Sequence, residues 1–203
     1  MNDAKSLNNN ESSYKSNTRG GEEQSLTLFN TISKRLMIFI DGGNLFHGAK
    51  NSGLELSYEK LIKFLSKDYD LIRVYYYTGV PKIGGDKDKI KNYNKQKGFL
   101  DYLEMKLNVD VVTKPLGSIA GRVFEKGIDV RIASDIIWHG LSSNYDVFIL
   151  ISGDKDLMDC LFRMKDNGKR VVVANFEGRV SKELKRIADE YINLSEHLEE
   201  IRR

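Results

Sequence analysis

The chain has 203 residues, of which 40% are hydrophobic and 30% are charged, and its formal net charge is +3. This composition supports one domain with a packed core plus a tail, and the mild positive charge permits a nucleic-acid partner without demanding one. The single cysteine, Cys160, excludes an intrachain disulfide framework and a thiolate metal site, so we expect a reducing compartment. The polar N-terminus and the lack of a membrane-length apolar run predict a cytoplasmic protein without a membrane partner.

Residues 1–33 are rich in Asn, Ser, Glu and Lys and poor in apolar side chains. Such a segment cannot offset the entropy lost on ordering, so we predict a disordered N-terminal tail over 1–33. The folded domain, including its C-terminal helices, is predicted over 34–203.

From residue 36, short apolar runs alternate with segments of helical periodicity. Strands are predicted at 36–40, 71–77, 109–113, 146–151 and 169–174. Helices are predicted at 57–66, 87–106, 127–141, 154–166 and from Ser181, followed by a short extended piece at 191–194 and a charged C-terminal helix. Residues 114–126 indicate a loop or short hairpin, and Trp138 and Tyr102 are expected on apolar helix faces.

This alternation predicts an α/β fold of three layers, with helices on both faces of a mostly parallel sheet of five strands. The strands at 36–40 and 146–151 are the most uniformly apolar, so we expect them at the centre of the sheet.

Both of these central strands run into an acidic turn. The first continues as Asp41-Gly-Gly-Asn44, and the second as Ser152-Gly-Asp-Lys-Asp156. Open α/β sheets place their sites at the carboxyl ends of the strands. Helix capping would account for one such aspartate, but it explains less well two strands that each deliver an acid to the same sheet edge.

A third acid, Asp129, falls in the first turn of the helix predicted after Gly127. Asp135 follows six positions later, turned about 120° away on an ideal helix, where it would support the rim or hydrogen-bond a ligand. Four aspartates are therefore expected in one crevice: Asp41, Asp129, Asp154 and Asp156.

Packed carboxylates repel one another, so they need a cation, a proton or a basic partner to remain charged. An all-oxygen ligand set suits Mg²⁺ or Mn²⁺, which serve phosphoryl chemistry. Asn44 in the first acidic turn would orient a ligand or water, and Ser152 in the second acidic turn is a further candidate. The chain lacks a nucleophile elbow, a Walker loop and a dinucleotide fingerprint.

Three segments carry a more specific signal: Phe39-Ile-Asp-Gly-Gly-Asn-Leu45, Lys126-Gly-Ile-Asp-Val130 with Asp135, and Leu150-Ile-Ser-Gly-Asp-Lys-Asp156. In this order they resemble the motifs of NYN domains, which are PIN-like, metal-dependent ribonuclease domains that include the LabA-like proteins. Lys169-Arg-Val-Val-Val173 resembles the family's next strand, so the resemblance covers roughly 36–174.

The resemblance implies a PIN-like (Rossmannoid) fold and Mg²⁺ or Mn²⁺ held by Asp41, Asp129 and Asp154, with Asp156 and Asn44 in or beside that shell. The chain departs from the family at two positions, because Lys155 and Leu157 stand where the family usually has a serine and an aromatic residue. Lys155 either contacts a phosphate or opposes metal binding through its charge.

Several cations are candidates for binding the substrate. Arg122, Lys126 and Arg131 flank the third acid and are placed to hold a scissile strand. Six lysines and Tyr93 lie within 82–97, and they fit a phosphate-backbone contact about as well as a solvated helix face.

The first hypothesis is a metal-dependent endoribonuclease that acts on single-stranded or structured RNA. The alternative is a catalytically weak or inactive NYN-fold module that binds RNA or regulates a partner, as a homodimer or with another protein. A small-molecule phosphatase is disfavoured, because Asp41-Gly-Gly-Asn44 lacks the second aspartate of a haloacid-dehalogenase acid pair.

Overall fold

The structure, a computed structural model, describes residues 33–81, 87–119, 122–124 and 127–203. Residues Ser33–Arg203 form one compact unit. The predicted disordered tail lies outside the described residues except for Ser33, so the domain boundary stays a prediction. Within the described residues, no helix combines the length and hydrophobicity needed to cross a bilayer.

The described residues form eight strands and seven helices. The strands are β1 Arg35–Asp41, β2 Asp70–Val80, β3 Asp110–Pro115, β4 Gly117–Ile119, β5 Arg122–Phe124, β6 Val147–Ile151, β7 Arg170–Asn175 and β8 Glu190–Asn193. The helices are α1 Gly42–Asn51, α2 Tyr58–Ser66, α3 Lys87–Leu107, α4 Ile128–Leu141, α5 Met158–Asp166, α6 Lys182–Ile187 and α7 Leu198–Ile201. Short 3-10 turns occupy Lys155–Leu157 and Leu194–Glu196.

Six strands form one parallel sheet in the order β3-β2-β1-β6-β7-β8. The predicted central position of β1 and β6 is confirmed, and β4 and β5 form the antiparallel hairpin that the sequence left as one of two options. The prediction of five strands is wrong, because β8 pairs with β7 as a sixth, edge strand. The sequence predicted only a short extended piece at 191–194 here, because a four-residue run with no fully buried position gives a weak strand pattern.

Alternate side chains of β1 pack on opposite faces of the sheet, which produces the three predicted layers. Leu36, Ile38 and Ile40 join a core cluster with side chains of α1, α2, α3 and α7. Met37 and Phe39 join a second cluster with side chains of α4, α5 and α6. All five are at most 1% exposed, so β1 is buried on both faces as a central parallel strand should be.

Helix α1 was not predicted from the sequence. It begins with two glycines, a poor local signal for a helix. A Cβ at Gly42 would lie 2.4 Å from the ring of Tyr76, and one at Gly48 would lie 2.4 Å from the ring of Phe176. The glycines are therefore needed for close packing, which a local pattern does not reveal.

Two aromatic residues were placed wrongly. Trp138 is 68% exposed on α4 and Tyr102 is 42% exposed on α3, although both were expected on apolar faces. On α4 the core positions are Ile128, Ile132 and Ile136, which leaves Trp138 on the outer side of the helix.

Candidate active site

The candidate site lies at the topological switch point of the sheet, where the strand order reverses. From β1 the chain adds β2 and β3 on one side, and it later returns to place β6 on the other side of β1. In open α/β sheets, such a switch point leaves a crevice at the carboxyl ends of the two central strands. Asp41 ends β1 at this edge, and Ser152-Gly153-Asp154 follows β6.

Asp41 is 7% exposed and is held on both carboxylate oxygens. Its Oδ1 accepts a hydrogen bond from the backbone N–H of Asn44 at 3.0 Å, which makes it the N-cap of α1. Its Oδ2 accepts the hydroxyl of Ser152 at 3.0 Å. The side chain is therefore fixed in orientation at the edge of the sheet.

Ser152 is fully buried and also accepts the backbone N–H of Asp154 at 3.2 Å. One hydroxyl thus connects Asp41 to the turn that carries Asp154. Asp154 Oδ1 accepts the backbone N–H of Asp156 at 2.9 Å and caps the 3-10 turn, as the sequence predicted. Asp156 and Lys155 are exposed on that turn.

Asn44 has a partner that the sequence reasoning missed. The Asn175 side-chain amide donates to Asn44 Oδ1 at 2.8 Å, and Asn175 is fully buried at the carboxyl end of β7. Asn175 Oδ1 in turn accepts the backbone N–H of Phe176 at 2.8 Å. A polar residue that ends an apolar strand was the same signal that identified Asp41, but the predicted strand ended at residue 174.

Asp129 lies in the first turn of α4 and is partly buried. Burial raises the pKa of Asp129, and the nearby charges of Asp154, Asp41 and Asp156 raise it further. The four predicted acids therefore share one electrostatic environment, since each of the other three carboxylates acts on Asp129.

Asp135 belongs to a different set of contacts. It accepts a hydrogen bond from the hydroxyl of Tyr77 at 3.0 Å and forms an ion pair with Arg131 at 2.8 Å, one turn earlier on α4. Tyr77 lies beside Asp41 in the register of β1 and β2. Asp135 thus braces α4 against the strand next to the site.

The structure describes the side chains of only two of the four predicted substrate-binding cations, Arg131 and Lys155. The guanidinium of Arg131 is bound by Asp135, so its role in holding a strand stays a prediction. Lys155 is exposed between Asp154 and Asp156. Arg122 lies in β5, but its side chain is outside the described part of the chain, as is all of Lys126.

The donor set fits a hard divalent cation in its chemistry, because aspartate and asparagine oxygens are the ligands that Mg²⁺ and Mn²⁺ prefer. The mutual repulsion felt by Asp129 is what a cation would relieve. However, within the described residues no three acidic, histidine or cysteine side chains lie close enough to hold one ion together. The carboxylates are near enough to interact by charge, but they do not form a preformed ligand cage.

The sequence profile of the NYN domain matches residues 35–196, from the first strand to beyond the last. The chain belongs to the NYN domain family. This NYN protein therefore has the PIN-like, nuclease-type fold that the motifs implied.

The chain is also similar to a known protein in sequence and to a solved structure in fold. The chain is 28% identical over 170 residues to the low amplitude and bright protein LabA of Synechococcus elongatus, across 80% of this chain and 84% of that protein. It is also similar in fold to a crystal structure of a protein of unknown function from Vibrio parahaemolyticus, with a TM-score of 0.60 and 20% sequence identity. That likeness covers 81% of this chain and 94% of the other.

Proposed function

We propose that this NYN protein is a metal-dependent endoribonuclease that hydrolyses RNA phosphodiester bonds at the crevice between β1 and β6. The observation that carries the proposal is the shared electrostatic environment of Asp129, Asp154 and Asp41, at the edge where α/β folds place their chemistry. Placing the buried Asp41 near the partly buried Asp129 and Asp154 is unfavourable for stability, so a functional cation is the simplest reason to keep them together.

Asp41, Asp129 and Asp154 would hold Mg²⁺ or Mn²⁺, with Asp156 and Asn44 beside them. A bound ion of this kind supplies charge neutralisation on the phosphate and lowers the pKa of an attacking water. The hydrogen bonds from Ser152 and from the Asn44 backbone orient Asp41, and the Asn175 amide orients Asn44. Arg122, Lys126, Arg131 and Lys155 are the proposed contacts to the RNA backbone.

The proposal predicts that metal binding and stability are coupled. A divalent ion that binds only the folded protein raises the unfolding midpoint, by an amount that grows with the logarithm of its concentration once that concentration exceeds the dissociation constant. Mn²⁺ should therefore raise the midpoint of the wild-type protein, and Asp154→Asn should reduce that shift. Asp159→Asn, at an exposed position of α5, is the matched control and should leave the shift unchanged.

The decisive test is cleavage of single-stranded and structured RNA with Mn²⁺, Mg²⁺ or EDTA, beside the Asp154→Asn variant. We expect cleavage that requires the metal and falls by at least about a hundredfold in the variant. Activity that survives the substitution would contradict the proposal and indicate a contaminating nuclease.

Two observations favour a second candidate, an NYN-fold module that binds RNA or a regulatory partner without cleaving. No group of three metal-ligating side chains is assembled in the described residues, and Lys155 adds a cation to the acidic turn. RNA binding without cleavage under any metal would support this candidate. A cytoplasmic location and a homodimer or a regulatory protein partner remain part of the same proposal.

A further inference from the structure

A pocket of about 810 Å³ opens beside the acidic crevice, between α1, α3 and the carboxyl end of β2. Its volume falls in the range of about 300–1,000 Å³ that is typical of small-molecule sites. Gly42 and Gly43 form part of its wall and directly follow Asp41 in the chain. A ligand in this pocket would therefore lie next to the candidate active site.

The walls of the pocket are aromatic. Phe46 is 56% exposed and meets the ring of His47 edge-on, at 5.5 Å between ring centroids. Across the pocket, Tyr58 packs against Tyr76 and Phe99 at 5.8 and 5.0 Å. Because Phe46 both lines the pocket and is exposed, it offers a face on which another ring can stack.

Polar and cationic groups surround this aromatic wall. The amide of Gln96 donates to the carbonyl oxygen of Gly79 at 2.8 Å, which fixes its orientation within the pocket lining. Exposed Lys50 on α1 and Lys95 on α3 lie at the two sides. Stacking rings, a fixed amide and two flanking cations form the combination that holds an unpaired base and its neighbouring phosphates.

We infer that this pocket binds one unpaired nucleobase of the RNA substrate, directly beside the phosphate to be cleaved. The inference rests on the proposed function for the identity of that phosphate. It also narrows the substrate class, because a base can enter a pocket between two helices only when it is not paired and stacked in a duplex. The substrate is then single-stranded RNA or an unpaired loop.

The basic surface of α3 acquires a specific role in this arrangement. From the sequence alone, the lysines within 82–97 were equally compatible with a phosphate-binding surface and with a solvated helix face. Lys95, Gln96 and Phe99 lie on the side of α3 that lines the pocket, whereas Lys106 lies outside the lining. Lys95, the one lysine of α3 in the pocket lining among the described residues, should therefore matter for RNA binding, and Lys106 should not.

The test is fluorescence anisotropy of the full chain with a labelled 12-nucleotide RNA in EDTA, alone and annealed to its complement. Phe46→Ala should weaken single-strand binding about tenfold, in line with the loss of one base–aromatic stack. Phe162→Ala, which removes another exposed ring outside the pocket, should change the dissociation constant less than twofold. Lys95→Gln should weaken binding several-fold and Lys106→Gln should not.

A scan of abasic nucleotides along the RNA makes the assignment specific. We expect one position where removal of the base weakens binding to the wild-type protein but not further to Phe46→Ala. Equal effects of Phe46→Ala and Phe162→Ala, or tighter binding of the duplex than of the single strand, would overturn the inference. So would an apolar small molecule that fills the pocket without competing with RNA.

The two proposals fail in distinguishable ways, because binding in EDTA does not require cleavage. Metal-dependent cleavage that is insensitive to Phe46→Ala in rate and binding would refute the pocket inference alone. Base-specific binding that depends on Phe46, without cleavage in any metal, would refute the nuclease and leave the pocket as the RNA-binding site of the alternative module.

Discussion

Ser152 donates its hydroxyl hydrogen to Asp41 Oδ2 at 3.0 Å, and these two residues stand at the ends of the two central strands. The same hydroxyl oxygen accepts the backbone N–H of Asp154. This one buried group therefore sets the orientation of two of the acids that make up the candidate site. It does so without contributing a charge.

Ser152→Ala should destabilise the protein and reduce activity together. The substitution leaves Asp41 Oδ2 and the Asp154 N–H without this partner, and such a loss costs about 1–3 kcal/mol in the free energy of unfolding. Urea unfolding measures the first effect and RNA cleavage the second. Ser134→Ala is the control, because the exposed Ser134 hydroxyl bonds only the carbonyl of Val130 on its own helix and should cost less than about 0.5 kcal/mol.

Gly153→Ala should be among the most damaging small substitutions in the chain. A Cβ at Gly153 would lie 1.5 Å from the carbonyl oxygen of Arg179, so the backbone of the loop after β7 would have to move. We expect a loss of about 3 kcal/mol or more in the free energy of unfolding, at the upper end for overpacking. Gly98→Ala in α3 meets no atom within 4 Å and should be neutral or stabilising by up to about 1 kcal/mol. Similar stability of the two variants would contradict this reading of the turn.

The ion pair between Arg35 and Asp146 predicts a pH dependence of stability. Asp146 accepts three hydrogen bonds from Arg35, at 3.1, 3.0 and 2.7 Å, which join the starts of β1 and β6. The Arg35 guanidinium lowers the pKa of Asp146 below its ordinary value. A carboxyl with a lowered pKa in the folded state contributes its stability above the unfolded pKa of about 3.9, and loses it as the pH falls through the folded pKa.

Asp146→Asn should therefore be less stable than the wild type at pH 7, by about 1 kcal/mol or less because both side chains are 42% exposed and screened. The difference should shrink as the pH falls below about 4, where the Asp146 carboxyl of the unfolded chain is protonated first, and it should vanish once the pH lies below the lowered folded pKa. Thermal unfolding between pH 3 and pH 7 measures it. Asp166→Asn, at an exposed position, is the control, and a gap that stays constant with pH would show that the charge of Asp146 is not responsible.

Lys155→Ser tests the departure of this chain from its family. Lys155 is exposed between Asp154 and Asp156, so its charge opposes a cation in the same turn. We expect the substitution to tighten Mn²⁺ binding roughly two- to fivefold at low salt, with a smaller effect at high salt. Calorimetric titration with Mn²⁺ measures this, with Lys182→Ser at an exposed position of α6 as the control. Unchanged Mn²⁺ affinity together with weaker RNA binding would show that Lys155 does not oppose the metal and would leave it only its proposed role as a phosphate contact.

The central part of the fold and of the candidate site could be predicted from the amino-acid sequence. The apolar runs that became β1 and β6 are too uniform to belong anywhere except between two layers of helices, where both faces of a strand are buried. Parallel strands end at the same edge, so Asp41 and Asp154 were bound to meet there once those two strands were central. The position of Asp129 at a helix start followed from the same periodicity.

The contacts at that edge of the sheet could be seen only in the tertiary structure. In the sequence, Gly42 indicates a helix breaker. In the structure it is needed because a side chain at this position would collide with the ring of Tyr76. Asn175 reaches Asn44 from a strand more than a hundred residues away. In the sequence, Phe46 is not distinguished from other apolar residues. In the structure it is exposed and lines the pocket between α1 and α3. The physical reason is the same in each case: hydrophobic periodicity reports which face of an element is buried, whereas these roles depend on what another element places opposite it.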